Sequence, residues 1–136
     1  MGMKASILLL AGGLSLASCS TATGNDARSP RAAQELASAL AGRTAGKPVN
    51  CIPNFRAEQM QIIDDETLLF HDGRTIYLQR TKDSCPGLAS GANTLVTRSY
   101  GINQLCNGDI QRVVNLPSGI GGGSCVFGPF VPYTRR

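Results

Sequence analysis

Four cysteines, Cys51, Cys85, Cys106 and Cys125, are spread through the part of the chain that holds its short apolar runs, and nothing else restricts the fold as much. Whether they bridge depends on the compartment, and the N-terminus speaks to that. Met1 to Lys4 give a positive start, Ile7 to Leu16 give about ten mostly apolar positions, and Ala17-Ser18 are small enough for a peptidase cleft. Such a run falls short of the ~20 residues that a permanent membrane helix needs, so residues 1–18 read as a removable signal peptide. Leu16-Ala17-Ser18-Cys19 reads as a lipobox, with cleavage before Cys19 and lipid on its sulfur. The odd total of five cysteines then resolves into one lipidated residue and four for disulfides in an oxidising compartment. Ser20, where Asp would mark retention at the inner membrane, fits an outer-membrane lipoprotein facing the periplasm.

Charge excludes some partners. The net charge is only +4, and Arg135-Arg136 is the only adjacent basic pair, so neither a nucleic-acid stripe nor a basic membrane helix is indicated. Ser20 to Arg31 offers no large apolar residue and reads as a tether. Ser29-Pro30 has the form of an N-cap with proline in the first turn, and Ala33, Leu36, Ala37 and Leu40 recur at helical spacing. A short helix over about 30–41 follows, inside a lipidated tether spanning 19–46. Its Ala-rich stripe is thin, which leaves open whether it docks on the domain or extends the tether.

From residue 47 to 136 the pattern is that of short strands divided by turn residues: Gln61 to Ile63, Thr67 to His71, Arg74 to Gln79, Thr94 to Tyr100, Ile110 to Leu116 and Cys125 to Val131. Asp72-Gly73 predicts a type I′ hairpin with Leu69 opposite Ile76 and Phe70 opposite Thr75, both faces carrying apolar residues. The expected fold is a small all-β domain: a five- or six-stranded antiparallel meander or partly open barrel. With four Phe, three Tyr and no Trp its core is thin, so covalent staples would help it. Of the three pairings that four cysteines allow, Cys51-Cys85 and Cys106-Cys125 is expected, because each bridge then closes one compact half.

Cys51-Ile52, Asp64-Asp65 to Phe70, Ile76-Tyr77-Leu78, Cys85-Pro86-Gly87-Leu88, Leu105-Cys106-Asn107-Gly108-Asp109 and Cys125-Val126-Phe127-Gly128-Pro129-Phe130 together resemble a proteobacterial envelope family known only as domain of unknown function 6491. The likeness covers about residues 48–132. It implies a small secreted or lipid-anchored domain and brings no activity, ligand or catalytic residue with it.

Candidate chemistry is sparse. His71 is the only histidine; it precedes Asp72-Gly73, where an exposed polar turn residue is expected anyway, and no nucleophile with a supporting carboxylate is marked near it. Asp64-Asp65-Glu66 lacks the spacing and glycine of a calcium loop and reads as a turn. Ser118 to Ser124 is glycine-rich like a phosphate loop, but no helix follows, so it reads as a mobile connection. No Cys-x-x-Cys pair suggests zinc, and neither metal nor cofactor is expected. Asp109, Gly121 and Gly122 are the candidate contacts for a ligand or partner. The reading is thus a non-enzymatic envelope lipoprotein, anchored to the membrane through Cys19, that binds an envelope protein or cell-wall component or has a structural role. A periplasmic inhibitor of a lytic enzyme, presenting Ser118 to Ser124, is the alternative, and a small hydrolase using His71 comes last.

Overall fold

The computed structural model describes residues 28–53, 59–97 and 103–136. The signal peptide (1–18), Cys19, the start of the tether and the expected strand end at 98–100 lie outside the described residues. Among the described residues one α-helix, α1 (Pro30–Leu40), precedes nine strands: β1 (Thr44–Ala45), β2 (Cys51–Pro53), β3 (Met60–Ile62), β4 (Thr67–Asp72), β5 (Thr75–Thr81), β6 (Asn93–Thr97), β7 (Gln104–Cys106), β8 (Ile110–Asn115) and β9 (Gly121–Thr134). The main sheet is antiparallel in the order β3-β4-β5-β9-β8-β6, with β1 also paired to β9, and β2-β7 forms a separate two-stranded ribbon. It curls into a half-barrel, the partly open form of the expected all-β architecture. It is not a plain meander, because β9 comes last in the chain yet lies between β5 and β8.

One side of the sheet holds the main core. Phe70, Phe127 and Phe130 meet edge to face with ring centroids 5.7 to 6.1 Å apart, and Ile52 of β2, Leu105 of β7 and Leu88 of the 3₁₀ turn Leu88–Ser90 close over them. Edge-to-face geometry sets the positive rim of one ring against the negative face of the next. The other side of β4 and β5 is also buried: Leu69, Ile76 and Leu78 pack with Ile63 against α1. Both faces of the hairpin are therefore covered.

Ser29 caps α1 as expected, its hydroxyl accepting from the Ala32 N–H at 3.2 Å, and Pro30 occupies the first turn. The buried face differs from the expected one, since Ala32, Leu36, Ala39 and Leu40 pack inward while Ala33 and Ala37 are exposed. The small Ala32 lets the helix approach the sheet, and Arg28 fixes its rotation by donating to Asp64 Oδ2 and Thr67 Oγ1. Residues 28–46, expected as the end of a tether, thus join the folded unit, with β1 hydrogen-bonded beside the end of β9.

The hairpin register also needs correction. Leu69 stands opposite Leu78 and Phe70 opposite Tyr77, while Asp72 pairs with Thr75, so the turn residues are Gly73-Arg74. Gly73 has φ of +54° and Arg74 does not share the left-handed region, the pattern of a turn with glycine first rather than of type I′. The one-residue displacement of the turn moves every partner by two, which leaves each side chain on its expected face.

Ser118 to Ser124 is not wholly a connection, because β9 already begins at Gly121. Val113 pairs with Gly123 and Val114 with Gly121, so Gly122 is the extra residue of a β-bulge. Gly123 has φ of +146°, a conformation that a side chain would strain.

Candidate functional site

The disulfides join Cys51 to Cys106 and Cys85 to Cys125, not Cys51 to Cys85 and Cys106 to Cys125. Antiparallel pairing decides the first: β2 and β7 place Cys51 and Cys106 directly opposite one another, with Cα atoms 4.1 Å apart. The second follows from Lys82, whose N–H donates to the Val126 carbonyl and lays residues 82–85 alongside β9. Each bridge ties the N-terminal half to the C-terminal half, so the notion of two separately stapled halves fails. Cys85 and Cys125 are both fully buried in the main core.

The acidic turn is committed to structure. Asp64 accepts from Arg28 and from the Glu66 N–H, and Asp65 accepts from the Gly87 and Ala89 N–H groups, holding the 3₁₀ turn against the sheet. Burial pushes the Asp64 carboxyl up, but the Arg28 hydrogen bond, the Glu66 N–H, the Thr67 hydroxyl and the Arg28 charge together outweigh it and hold the group below its ordinary value.

Asp109 is likewise occupied in part, since its Oδ2 accepts from the Cys106 N–H at 2.7 Å and its carbonyl accepts from the Phe127 N–H just before β8. It does line a shallow cleft of about 610 Å³ on the outer face of β8, beside Val96, Ile110 and Arg112. Gly121 and Gly122 do not line that cleft; they lie in the β9 bulge.

His71 is a half-buried strand residue opposite Ile76 rather than an exposed turn residue, because the turn lies one residue later. It lines a groove of about 690 Å³ between α1 and the sheet, together with Glu35, Gln61, Arg31, Arg43 and Arg135. Gln61 Nε2 donates to Glu35 Oε1 at 2.8 Å, and Gln61 Oε1 lies 3.0 Å from His71 Nε2. A carboxylate only accepts, so the Gln61 amide must point its nitrogen at Glu35 and its oxygen at His71. His71 then donates from Nε2 and leaves Nδ1 as its acceptor when neutral. The chain Glu35–Gln61–His71, drawn from α1, β3 and β4, is not legible in the sequence because its members come together only through helix docking and strand pairing. It supplies fixed donors and acceptors along the groove wall, with guanidinium groups on the rim.

The signature motifs find their places here: Cys85-Pro86-Gly87-Leu88 starts the 3₁₀ turn, Leu105-Cys106-Asn107-Gly108-Asp109 turns β7 into β8, and Phe127-Gly128-Pro129-Phe130 builds the aromatic core. Residues 2–127 match the family described as "Family of unknown function (DUF6491)". The chain belongs to that family. Comparison with curated proteins and with solved structures returned no match. As a DUF6491 member the chain inherits no assigned activity, and its functional reading rests on its own residues.

Proposed function

We propose that this DUF6491 protein is a bacterial cell-envelope lipoprotein, lipidated at Cys19 and held at the outer membrane facing the periplasm, whose half-barrel binds another envelope component instead of catalysing a reaction. One observation carries the reading. The Cys51–Cys106 and Cys85–Cys125 bridges pair the four later cysteines with one another and leave Cys19, the fifth in the sequence, outside both. A single thiol directly after Leu16-Ala17-Ser18, behind an apolar leader, suits acylation, and paired disulfides suit the same export route. The groove supports binding more than catalysis, because the His71 ring meets the Gln61 amide, and the nearest linked carboxylate, Glu35, lies beyond that amide.

Metabolic labelling with a palmitate analogue tests the anchor. The label should enter the wild-type protein and the membrane fraction, and Cys19→Ala should lose both. Acylation that persists in Cys19→Ala would overturn the proposal. Partner capture from solubilised envelopes should survive His71→Ala; its loss would move the reading towards hydrolase chemistry.

A second reading, a periplasmic inhibitor of a lytic enzyme, draws on the β8–β9 tip. Leu116 and Ile120 are 66% and 70% exposed there. Asn115 fixes the turn, its Oδ1 accepting from the Ser118 N–H and hydroxyl and its N–H donating to the Ile120 carbonyl. Inhibition of lysis by the added protein, lost in Leu116→Ser, would favour this reading; no inhibition would remove it.

A further inference from the structure

Four arginines that look scattered in the sequence meet at one end of the half-barrel. Thr134 of β9 is flanked by Thr44 of β1 on one side and Thr75 of β5 on the other, both antiparallel to it. The residue before Thr44, the residue before Thr75 and the residue after Thr134 must therefore leave the sheet at the same end, and these are Arg43, Arg74 and Arg135. With Gly73 and Arg136 they line a cleft of about 350 Å³ whose lining contains no Asp or Glu side chain. The cleft shares Arg43 and Arg135 with the larger groove beside His71, so the two form one continuous surface.

Arg43 Nη1 donates to the Arg74 carbonyl, which ties the β1 and β5 ends together, and Arg43 Nε is buried without a hydrogen-bond partner. Among the described residues none of the four guanidinium groups takes part in an ion pair, whereas Arg28 and Asp64 pair at the opposite end of β4. Asp72 precedes Gly73 on the hairpin, and one carboxylate against four guanidinium groups leaves the cleft positive. Like charges gathered this closely repel one another, and an anion between them removes that cost. A guanidinium fork matches two oxygens of a phosphate, and a phosphate has oxygens enough to engage more than one fork at once.

We infer that this cleft binds a phosphate-bearing ligand. The inference takes the groove surface as the binding surface, as in the proposed function, but it does not depend on the lipid anchor. Loss of phosphate binding and loss of acylation at Cys19 are therefore separate results.

The test titrates inorganic pyrophosphate, by calorimetry at low salt, into the disulfide-bonded protein purified in maltoside micelles in the form that cells accumulate. The expected result is saturable one-to-one binding that weakens as salt rises. Arg74→Gln with Arg135→Gln should weaken it at least tenfold, and Arg74→Lys with Arg135→Lys should weaken it several-fold through loss of the fork. Arg112→Gln, on the outer face of β8, should leave it unchanged. Unchanged near-ultraviolet circular dichroism shows that each variant is folded. Micelles doped with phosphatidylglycerol separate the sources: competition with pyrophosphate assigns the site to a lipid phosphate, and lack of competition assigns it to a soluble one. Absence of saturable binding, or equal binding by wild type and the double Gln variant, overturns the inference.

Discussion

Gly128 lies so close against Arg80 that a Cβ at this position would overlap the Arg80 carbonyl oxygen. The contact belongs to a bulge in β9: Gln79 pairs with Phe130 and Thr81 with Phe127, so β9 takes three steps where β5 takes two. The extra residue turns Phe127 and Phe130 to the same side, where both meet Phe70. Gln79 Nε2, fully buried, donates to the Gly128 carbonyl at 2.8 Å and fixes the bulge from inside. Pro129, which has no N–H to satisfy, fits this irregular position.

Gly128→Ala should therefore destabilise the domain by about 1–3 kcal/mol, because the overlap is with backbone that cannot swing aside. Gly122→Ala, with nothing near the added methyl group, should shift stability by no more than about 0.5 kcal/mol. Thermal melts of both variants check the contrast, and equal melting temperatures would contradict the bulge geometry.

The aromatic trio should dominate the core. Phe130→Ala is expected to cost about 3–5 kcal/mol, while Leu116→Ala, at an exposed hairpin tip, should be close to neutral. Urea midpoints measure both. A small loss at Phe130 would mean that the core does not depend on the trio.

Acid should release the Arg28–Asp64 tie. The folded pKa of Asp64 lies below its ordinary value of 3.8, so the charged carboxylate adds stability that is fully present above that value and disappears as pH falls through the lowered folded one. The melting-temperature gap between wild type and Asp64→Asn should be constant near neutral pH and close below pH of about 3.8. A gap that persisted in strong acid would show that Asp64 acts through something other than its charge.

Much of this architecture is legible in the sequence. The Ser29-Pro30 cap, the β4–β5 hairpin and the strand at Ile110 carry local signals, because caps, turns and alternation are properties of neighbouring residues. What escaped is what neighbours do not encode. The start of β9 is not legible because Ser118 to Ser124 reads as a connection, yet Gly121 and Gly123 pair with β8 around the bulge at Gly122, and the φ of Gly123 calls for glycine. The cysteine pairing follows from β2 meeting β7, a contact between segments 55 residues apart. The arginine cleft depends in the same way on Thr44 and Thr75 flanking Thr134.

Both bridges should contribute substantially, since they close chain segments of 55 and 40 residues. On chain-entropy grounds the loss of either costs about 4 kcal/mol, so each double Cys→Ser variant should unfold at markedly lower denaturant. Retention of the wild-type midpoint would mean that the bridge constrains little.

The central claim is a domain closed by two bridges that run between its halves, in a chain whose remaining cysteine takes lipid. Non-reducing peptide mapping of the protein isolated from cells tests it most directly. The predicted result is one peptide pair linking Cys51 to Cys106, another linking Cys85 to Cys125, and an acylated N-terminal Cys19. Free thiols at these positions, a Cys51–Cys85 link, or an intact leader ahead of an unmodified Cys19 would contradict it.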